Sequence, residues 1–195
     1  WRFGIDGSAE ELTVEPGVHG AAGGGGTVVL SSATVDQHGS TVVVWRAGER
    51  VGVVASHAEV PLVDPRPAFH VVGTRALHAA LVLPSSDIDG PLPVLMDPYG
   101  GPHALRVQRT KGAFATSQWF ADQGYAVIVC DGRGTPARGP YWEREIRGDF
   151  ASHVLADQVD ALHAFAERDE RLDLSRVAIR GWSFGGYLAA LAVLD

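Results

Sequence analysis

The chain has 195 residues, 46% of them hydrophobic, and 16 Lys and Arg against 23 Asp and Glu give a formal net charge of −7 at pH 7. This composition is ordinary for a globular protein and argues against a disordered chain. The acidic balance argues against nucleic acid and membranes as partners, because both are bound mainly through an excess of Lys and Arg. The single cysteine, Cys130, lies in the apolar run YAVIVC and is expected to be buried and inert.

Residues 1–62 predict short antiparallel strands joined by tight turns. Runs such as GTVVLSSATV, STVVVWRAG and ERVGVVASH alternate with the turn segments GGGG, DQHGS and AGER. The four glycines from Gly23 to Gly26 have neither a following helix nor a Lys-Ser or Lys-Thr pair, so we interpret them as a flexible turn and not as a phosphate loop. About 60 residues of this kind bury little surface, and we expect them to belong to a larger β structure.

From residue 63 onward, apolar strands alternate with helices. The pattern predicts strands at FHVVG, LHAALVLP, LPVLMDPYG, YAVIVCDGRG and RVAIRGW, and helices at FATSQWFADQG, over residues 151–168 and after Ser183. Such alternation is typical of an α/β fold with a mainly parallel, doubly wound sheet.

Several charged residues of this part are expected at the surface. The helix over residues 151–168 is amphipathic, and Asp157 lies largely off its apolar face. We predict that this face consists of Leu155, Val159, Leu162 and Ala166. Arg133 and Arg138, in the loop DGRGTPARG, are interpreted as solvated side chains, with a contact to substrate as the alternative.

Ser183 is the candidate for chemistry, because the motif GWSFG stands between an apolar strand and the helical run GYLAALAVLD. A GxSxG match alone is weak, but strand, serine and helix in this order are the context of a hydrolase nucleophile. We expect Ser183 to adopt a strained backbone conformation that requires side-chain-free neighbours at Gly181 and Gly185. The N–H of Phe184 would then face a developing oxyanion at the positive end of the helix. A serine that only caps the helix is the alternative.

The motif GWSFGGY, with LPVLMDPYGGPHALRV and YAVIVCDGRGTPARGPYWEREI, resembles the prolyl oligopeptidase family of serine peptidases in its dipeptidyl-peptidase IV-like branch. The resemblance is specific from about Leu92 to Asp195 and only generic over residues 1–62. It implies that residues 1–62 are the C-terminal part of a β-propeller. Residues 63–195 would be the N-terminal part of an α/β-hydrolase domain, with an incomplete doubly wound sheet truncated after the nucleophile helix.

The resemblance also implies the roles of individual residues. Ser183 matches the nucleophile that forms the acyl-enzyme, and Tyr99 in PYGGP matches the tyrosine whose hydroxyl joins the Phe184 N–H in the oxyanion hole. A glycine-bearing loop after an earlier strand is where a hydrolase elbow takes its second donor, which supports Tyr99 independently. A purely structural tyrosine is the alternative. Tyr99 also favours the dipeptidyl and prolyl peptidases over the acylaminoacyl peptidases, which have histidine there.

The sequence offers no general base for Ser183. In α/β-hydrolases the triad runs Ser, then Asp or Glu, then His, whereas all eight histidines here precede Ser183 and Asp195 is the only carboxylate after it. His103 is expected on the wrong flank of the attacked carbonyl. We therefore expect a fragment of a longer peptidase, without the triad Asp and His and inactive by itself.

The remaining expectations concern substrates, partners and location. We expect short peptides as substrates, no cofactor, no metal, no nucleic acid, no membrane and a cytoplasmic location, while oligomerisation cannot be read from the sequence. Exopeptidase and endopeptidase specificity both remain open. The alternatives to a peptidase are an esterase or acylaminoacyl-peptidase-type hydrolase, and a non-catalytic scaffold with a hydrolase fold.

Overall fold

A computed structural model describes residues 1–194, which divide into two compact units. The first unit comprises residues 1–62 and the short segment 108–112. The second comprises residues 63–107 and the chain from residue 113 onward. The segment 108–112 is attached to the first unit by a hydrogen bond from the Lys111 N–H to the Thr34 carbonyl, 2.9 Å long.

The first unit is built from antiparallel strands alone. A short ribbon pairs β1 (Arg2–Phe3) with β2 (Ala9–Glu10). A four-stranded meander follows, in which each strand pairs with the next along the chain. Its strands are β3 (Val18–Gly24), β4 (Thr27–Ala33), β5 (Thr41–Arg46) and β6 (Glu49–Val54). The predicted hairpin strands are therefore present.

The tetraglycine corrects one detail of the prediction. Only Gly25 and Gly26 form the turn, with φ of 56° and 76°, whereas Gly23 and Gly24 complete β3 and pair with Val28 and Thr27. Two consecutive residues with positive φ match the right-handed twist of the flanking strands, and glycine reaches this conformation without steric cost. The strand preceding the turn escaped prediction because its sequence, VHGAAGG, has little β propensity.

The second unit contains a five-stranded sheet in the order β11, β9, β10, β8, β7. Its strands are β7 (Ala68–Val72), β8 (Leu77–Val82), β9 (Leu92–Met96), β10 (Ala126–Asp131) and β11 (Leu172–Ile179). The last three run parallel, whereas β8 is antiparallel to both β10 and β7. Residues 73–76 between β7 and β8 are too few for a parallel crossover, so these two strands form a hairpin.

Helices cover both faces of this sheet. They are α1 (Ala115–Ala121), after a 3₁₀ turn at Lys111–Phe114, then α2 (Pro140–Arg144), α3 (Ser152–Ala166) and α4 (Phe184–Leu194). Phe114 and Ala121 pack against Val127 on one face, while Ala161 and Phe165 of α3 lie in the cluster on the other. The predicted doubly wound α/β-hydrolase-type sheet, preceded by hairpin strands, is confirmed. No helix among the described residues is long and apolar enough to cross a membrane.

The predicted apolar face of α3 is only partly right, because Leu155, Leu162 and Ala166 are half-buried against the core clusters but Val159 is not. Val159 is 44% exposed, whereas Asp157 and Gln158 are buried. The residues that α3 buries are Val154, Asp157, Gln158, Ala161 and Phe165. This face also has helical spacing, and it includes two polar side chains. Asp157 pairs with Arg133, and Gln158 Nε2 donates to the Cys130 carbonyl over 3.3 Å, whereas Gln158 Oε1 has no hydrogen-bond partner among the described residues. A pattern of apolar residues alone cannot anticipate a buried carboxylate with a distant partner.

Candidate active site

The turn between β11 and α4 holds Ser183 with a φ of 56°. This left-handed conformation is uncommon for a residue with a Cβ and is strained unless its surroundings impose it. A Cβ on Gly181 would lie closer than 3.0 Å to the Gly185 carbonyl, and a Cβ on Gly185 would approach the Pro98 carbonyl equally closely. Since these neighbours are backbone atoms, both positions require glycine, and Ser183 has the strained conformation expected from the sequence; we call residues 181–185 the elbow.

The elbow presents Ser183 at the beginning of α4. Ser183 is exposed, and its carbonyl accepts a hydrogen bond from the Tyr187 N–H over 3.1 Å. Phe184 is the first residue of the helix, so its N–H has no acceptor within the helix and lies at the positive end of the helix dipole. A negative charge that develops beside the serine would be stabilised at this point.

The loop that follows β9 packs directly on the beginning of α4. The Tyr99 ring lies 6.1 Å from the Phe184 ring, centroid to centroid. A Cβ on Gly101 would collide with the Phe184 ring, and a Cβ on Gly100, whose φ is 67°, would come within 2.9 Å of Leu188 Cδ2. The glycines of PYGGP therefore allow the close approach of loop and helix. The structure brings Tyr99, Phe184 and the elbow around Ser183 together.

Beneath this loop lies a group of buried charges that sequence reasoning missed. Asp97 is 1% exposed and accepts from two guanidinium nitrogens of Arg106, at 2.8 and 3.4 Å, and from the Ser117 hydroxyl at 3.0 Å. Arg180 Nη1 lies 3.7 Å from Asp97 Oδ2. The only signal in the sequence was an aspartate directly after a buried strand, a position where its carboxylate must find partners.

A second buried carboxylate, Asp131, ends strand β10. It accepts the backbone N–H of Arg106 at 2.9 Å and that of Val107 at 2.9 Å. Burial raises the pKa of Asp131 above its ordinary value, and these two N–H groups and the Arg106 charge oppose the rise. The loop carrying Tyr99 is thus attached to the neighbouring strand at its far end.

Arg133 is not a solvated side chain, and the sequence-based interpretation of this residue is wrong. It is 3% exposed, and its Nη2 donates to Asp157 Oδ1 over 2.7 Å. The Arg133 N–H also donates to Asp157 Oδ2, over 2.6 Å, so the loop after β10 is fixed to α3. A buried arginine requires such pairing to offset the loss of hydration. Its role in the structure is to hold the loop.

Three histidines were considered on sequence grounds, and none of them is hydrogen-bonded to the Ser183 hydroxyl in the described part of the chain. His103 is exposed in the loop after Tyr99, with a φ of 74°. His153 is half-buried on α3 with its Nδ1 3.5 Å from Asp149 Oδ2, and His163 is exposed on the same helix.

Part of this chain is similar in sequence to known proteins. The sequence model of the prolyl oligopeptidase family matches residues 112–195. Human dipeptidyl peptidase 8 is 36% identical over 108 residues, which are 53% of this chain and 12% of that protein. A probable dipeptidyl-aminopeptidase B of Aspergillus terreus is 40% identical over 96 residues, which are 49% of this chain and 10% of that protein.

Two solved structures share the fold. The dipeptidyl peptidase 4 of Porphyromonas gingivalis matches with a TM-score of 0.82 and 24% identity, over 96% of this chain and 28% of that chain. A putative dipeptidyl aminopeptidase IV of Bacteroides ovatus matches with a TM-score of 0.68 and 24% identity, over 87% of this chain and 26% of that chain. The chain thus spans about a tenth of its curated relatives and about a quarter of these structures. Over residues 112–195 the chain is similar to the prolyl oligopeptidase family.

Proposed function

We propose that the protein containing this chain is a serine peptidase that hydrolyses short peptides through an acyl-enzyme on Ser183. The observation that carries this proposal is the conformation of Ser183, whose φ of 56° is accommodated at a strand-to-helix turn where two positions require glycine. A helix-capping serine needs no such conformation, since residues that cap helices have ordinary extended backbone angles. A serine held in this way has its hydroxyl available to a substrate.

The chemistry proceeds from the arrangement around the elbow. The Ser183 Oγ attacks the peptide carbonyl carbon, and the carbonyl oxygen acquires negative charge as the tetrahedral intermediate forms. The Phe184 N–H and the Tyr99 hydroxyl donate hydrogen bonds to this oxygen. Removing one such donor costs about 10²- to 10³-fold in rate.

The attack also requires a base. The base accepts the Ser183 proton and delivers it to the nitrogen of the departing amine, after which water releases the acyl group. We propose that the triad Asp and His are contributed by residues outside this sequence. The 195-residue chain by itself is accordingly proposed to be inactive, because loss of the catalytic histidine of subtilisin costs about 10⁶-fold in kcat.

The substrate preference proposed is the release of dipeptides from free peptide N-termini. The curated relatives and the solved structures that carry the argument are named dipeptidyl peptidases or dipeptidyl aminopeptidases. Residues 1–62 are proposed to be the C-terminal part of a propeller, and residues 63–195 the N-terminal part of the peptidase domain. A cytoplasmic location remains a prediction.

The test uses the full-length product of the gene that encodes this sequence. A fluorophosphonate probe should label the wild type and leave Ser183→Ala unlabelled, because the probe reacts only with an activated serine. Ser175→Ala is the matched control: it removes another hydroxyl of β11 and should label like the wild type. Labelling that persists in Ser183→Ala would contradict the proposal, and absence of labelling in the wild type would indicate a scaffold.

A second assay separates the substrate classes. Chromogenic dipeptidyl amides with a free amino group should be cleaved, and the same amides blocked at the amino group should not. Cleavage of blocked amides would indicate an endopeptidase or an acylaminoacyl peptidase. Cleavage of aryl esters without any amide would indicate an esterase.

A further inference from the structure

The loop that carries Tyr99 is closed by an ion pair between its two ends. Asp97 is fixed at the start, because its N–H donates to the Ile128 carbonyl of β10 over 2.8 Å. Arg106 stands at the other end, and its two guanidinium nitrogens reach both carboxylate oxygens of Asp97, at 2.8 and 3.4 Å. A planar, two-point pair of this kind fixes orientation as well as distance. The segment between them cannot open without breaking it.

The main chain at Arg106 has a separate anchor. Asp131 holds the N–H groups of Arg106 and Val107, each at 2.9 Å, from the end of the neighbouring parallel strand. Arg106 is therefore positioned by one carboxylate through its backbone and by another through its side chain. This double attachment restricts the loop to one arrangement relative to β9 and β10.

The same Asp97 carboxylate contacts the strand that leads into the nucleophile elbow. Arg180 directly precedes Gly181, and its Nη1 lies 3.7 Å from Asp97 Oδ2. The Arg180 N–H donates to the Met96 carbonyl over 3.0 Å, so the main chain of Arg180 is also fixed to the end of β9. The Ser117 hydroxyl, on helix α1, donates a further hydrogen bond to Asp97 Oδ2 over 3.0 Å. One buried carboxylate thus contacts both halves of the candidate site.

We propose that Asp97 is a positioning residue that sets the Tyr99 hydroxyl relative to Ser183 by holding Arg106 and Arg180 together; this rests on the proposed peptidase function. In Asp97→Asn, the guanidinium groups of Arg106 and Arg180 would both face a neutral amide, and no negative charge would hold them together. The loop and the elbow would then separate, and a displacement of about 1 Å in a catalytic group can cost about 10²-fold in rate. Asp97 itself is buried and touches no substrate.

A double-mutant cycle in the full-length protein tests this proposal, with kcat and KM for the dipeptidyl amide as readouts. In the wild-type background, Asp97→Asn should lower kcat by about 10²-fold and change KM by less than about 3-fold. In the Tyr99→Phe background the same substitution should lower kcat by less than about 3-fold, because the hydroxyl that Asp97 positions is already absent. A residue that only supports the fold would give equal losses in both backgrounds, and this result would overturn the proposal.

Three further variants complete the design. Asp173→Asn breaks an ion pair with Arg176 at the opposite end of β11 and is the matched control, with kcat expected within about 2-fold of the wild type. Arg106→Lys keeps the charge but loses the two-point geometry, and its cycle with Tyr99→Phe decides the question if Asp97→Asn does not fold. Additive losses in that cycle would likewise overturn the proposal. Ser183→Ala, run in parallel, reports separately on the peptidase function.

Discussion

The four-stranded meander of the first unit and the five-stranded sheet of the second have similar apolar strands and opposite degrees of burial. In β10 of the second unit, all six residues are buried, whereas all seven residues of β4 in the first unit are only half-buried. No residue of 1–62 is buried at all. Hydrogen-bonded pairing satisfies the backbone in both sheets, but removing side chains from water requires a second layer. The helices of the second unit provide that layer.

The two sheets therefore differ in how firmly they can hold the side chains of a site in position. The elbow, the Tyr99 loop and the buried charges all lie at the ends of strands β9, β10 and β11. Strands β9 and β10 are packed on both faces, whereas β11, of which only Leu172 is buried, is held in place by its pairing with β9. A sheet with no buried residue has no comparable means of holding side chains within fractions of an ångström. The first unit is therefore unsuited to carry such a site by itself.

The largest expected effect concerns the first unit in isolation. A peptide of residues 1–62 should show no cooperative thermal unfolding by circular dichroism, because none of its residues is fully buried in this structure. The full-length product is the control and should melt cooperatively. A sharp thermal transition of the peptide would contradict this expectation, since cooperative unfolding requires a buried core that the meander lacks.

A pair of glycine substitutions compares the two sheets directly. Gly185→Ala places a methyl group against the Pro98 carbonyl and should lower peptidase kcat by at least about 10²-fold, because elbow and loop must separate. Gly52→Ala on β6 meets nothing within 4 Å and should change stability by less than about 1 kcal/mol. Steady-state kinetics and thermal melts of both full-length variants provide the measurement. Equal effects would mean that the elbow tolerates displacement.

The smallest expected effect concerns thiol reactivity. Burial, followed by the nearby charges of Asp131 and Asp157, raises the pKa of Cys130 well above its ordinary value, so thiolate should not form between pH 7 and pH 9. Iodoacetamide should leave the peptide containing Cys130 unmodified in the native protein over this range and modify it in denaturant, as read by mass spectrometry.

Val53→Cys on β6 is the matched control for the first unit, because Val53 is 50% exposed. The introduced thiol should react readily, and faster as the pH rises towards its ordinary pKa. Rapid alkylation of Cys130 would contradict its burial. Slow alkylation of the introduced cysteine in the full-length protein would mean that other residues of that protein cover β6. The first unit would then gain its second layer from outside residues 1–62.

Sequence pattern alone was enough to locate the elbow, because a strand, a serine between glycines and a helix follow one another within residues 172–194. The steric need for Gly181 is also local, since it arises from the Gly185 carbonyl, whereas Gly185 is required by the Pro98 carbonyl of a loop distant in sequence. The strands of the second unit and its helices α1, α3 and α4 were predictable for the same reason, since periodicity is a property of consecutive residues, whereas the five-residue helix α2 was missed. The family motifs likewise lie in continuous stretches.

Tertiary structure alone decided which charged residues are buried and with what partners. Asp97 meets Arg106 and Arg180, and Asp157 meets Arg133, across different strands, loops and helices. A helix such as α3 offers more than one face with acceptable spacing, and the face that is buried depends on a partner supplied from elsewhere in the chain. Local pattern contains no information on that partner, because the free energy of a buried charge is set by its paired charge and not by its neighbours in sequence.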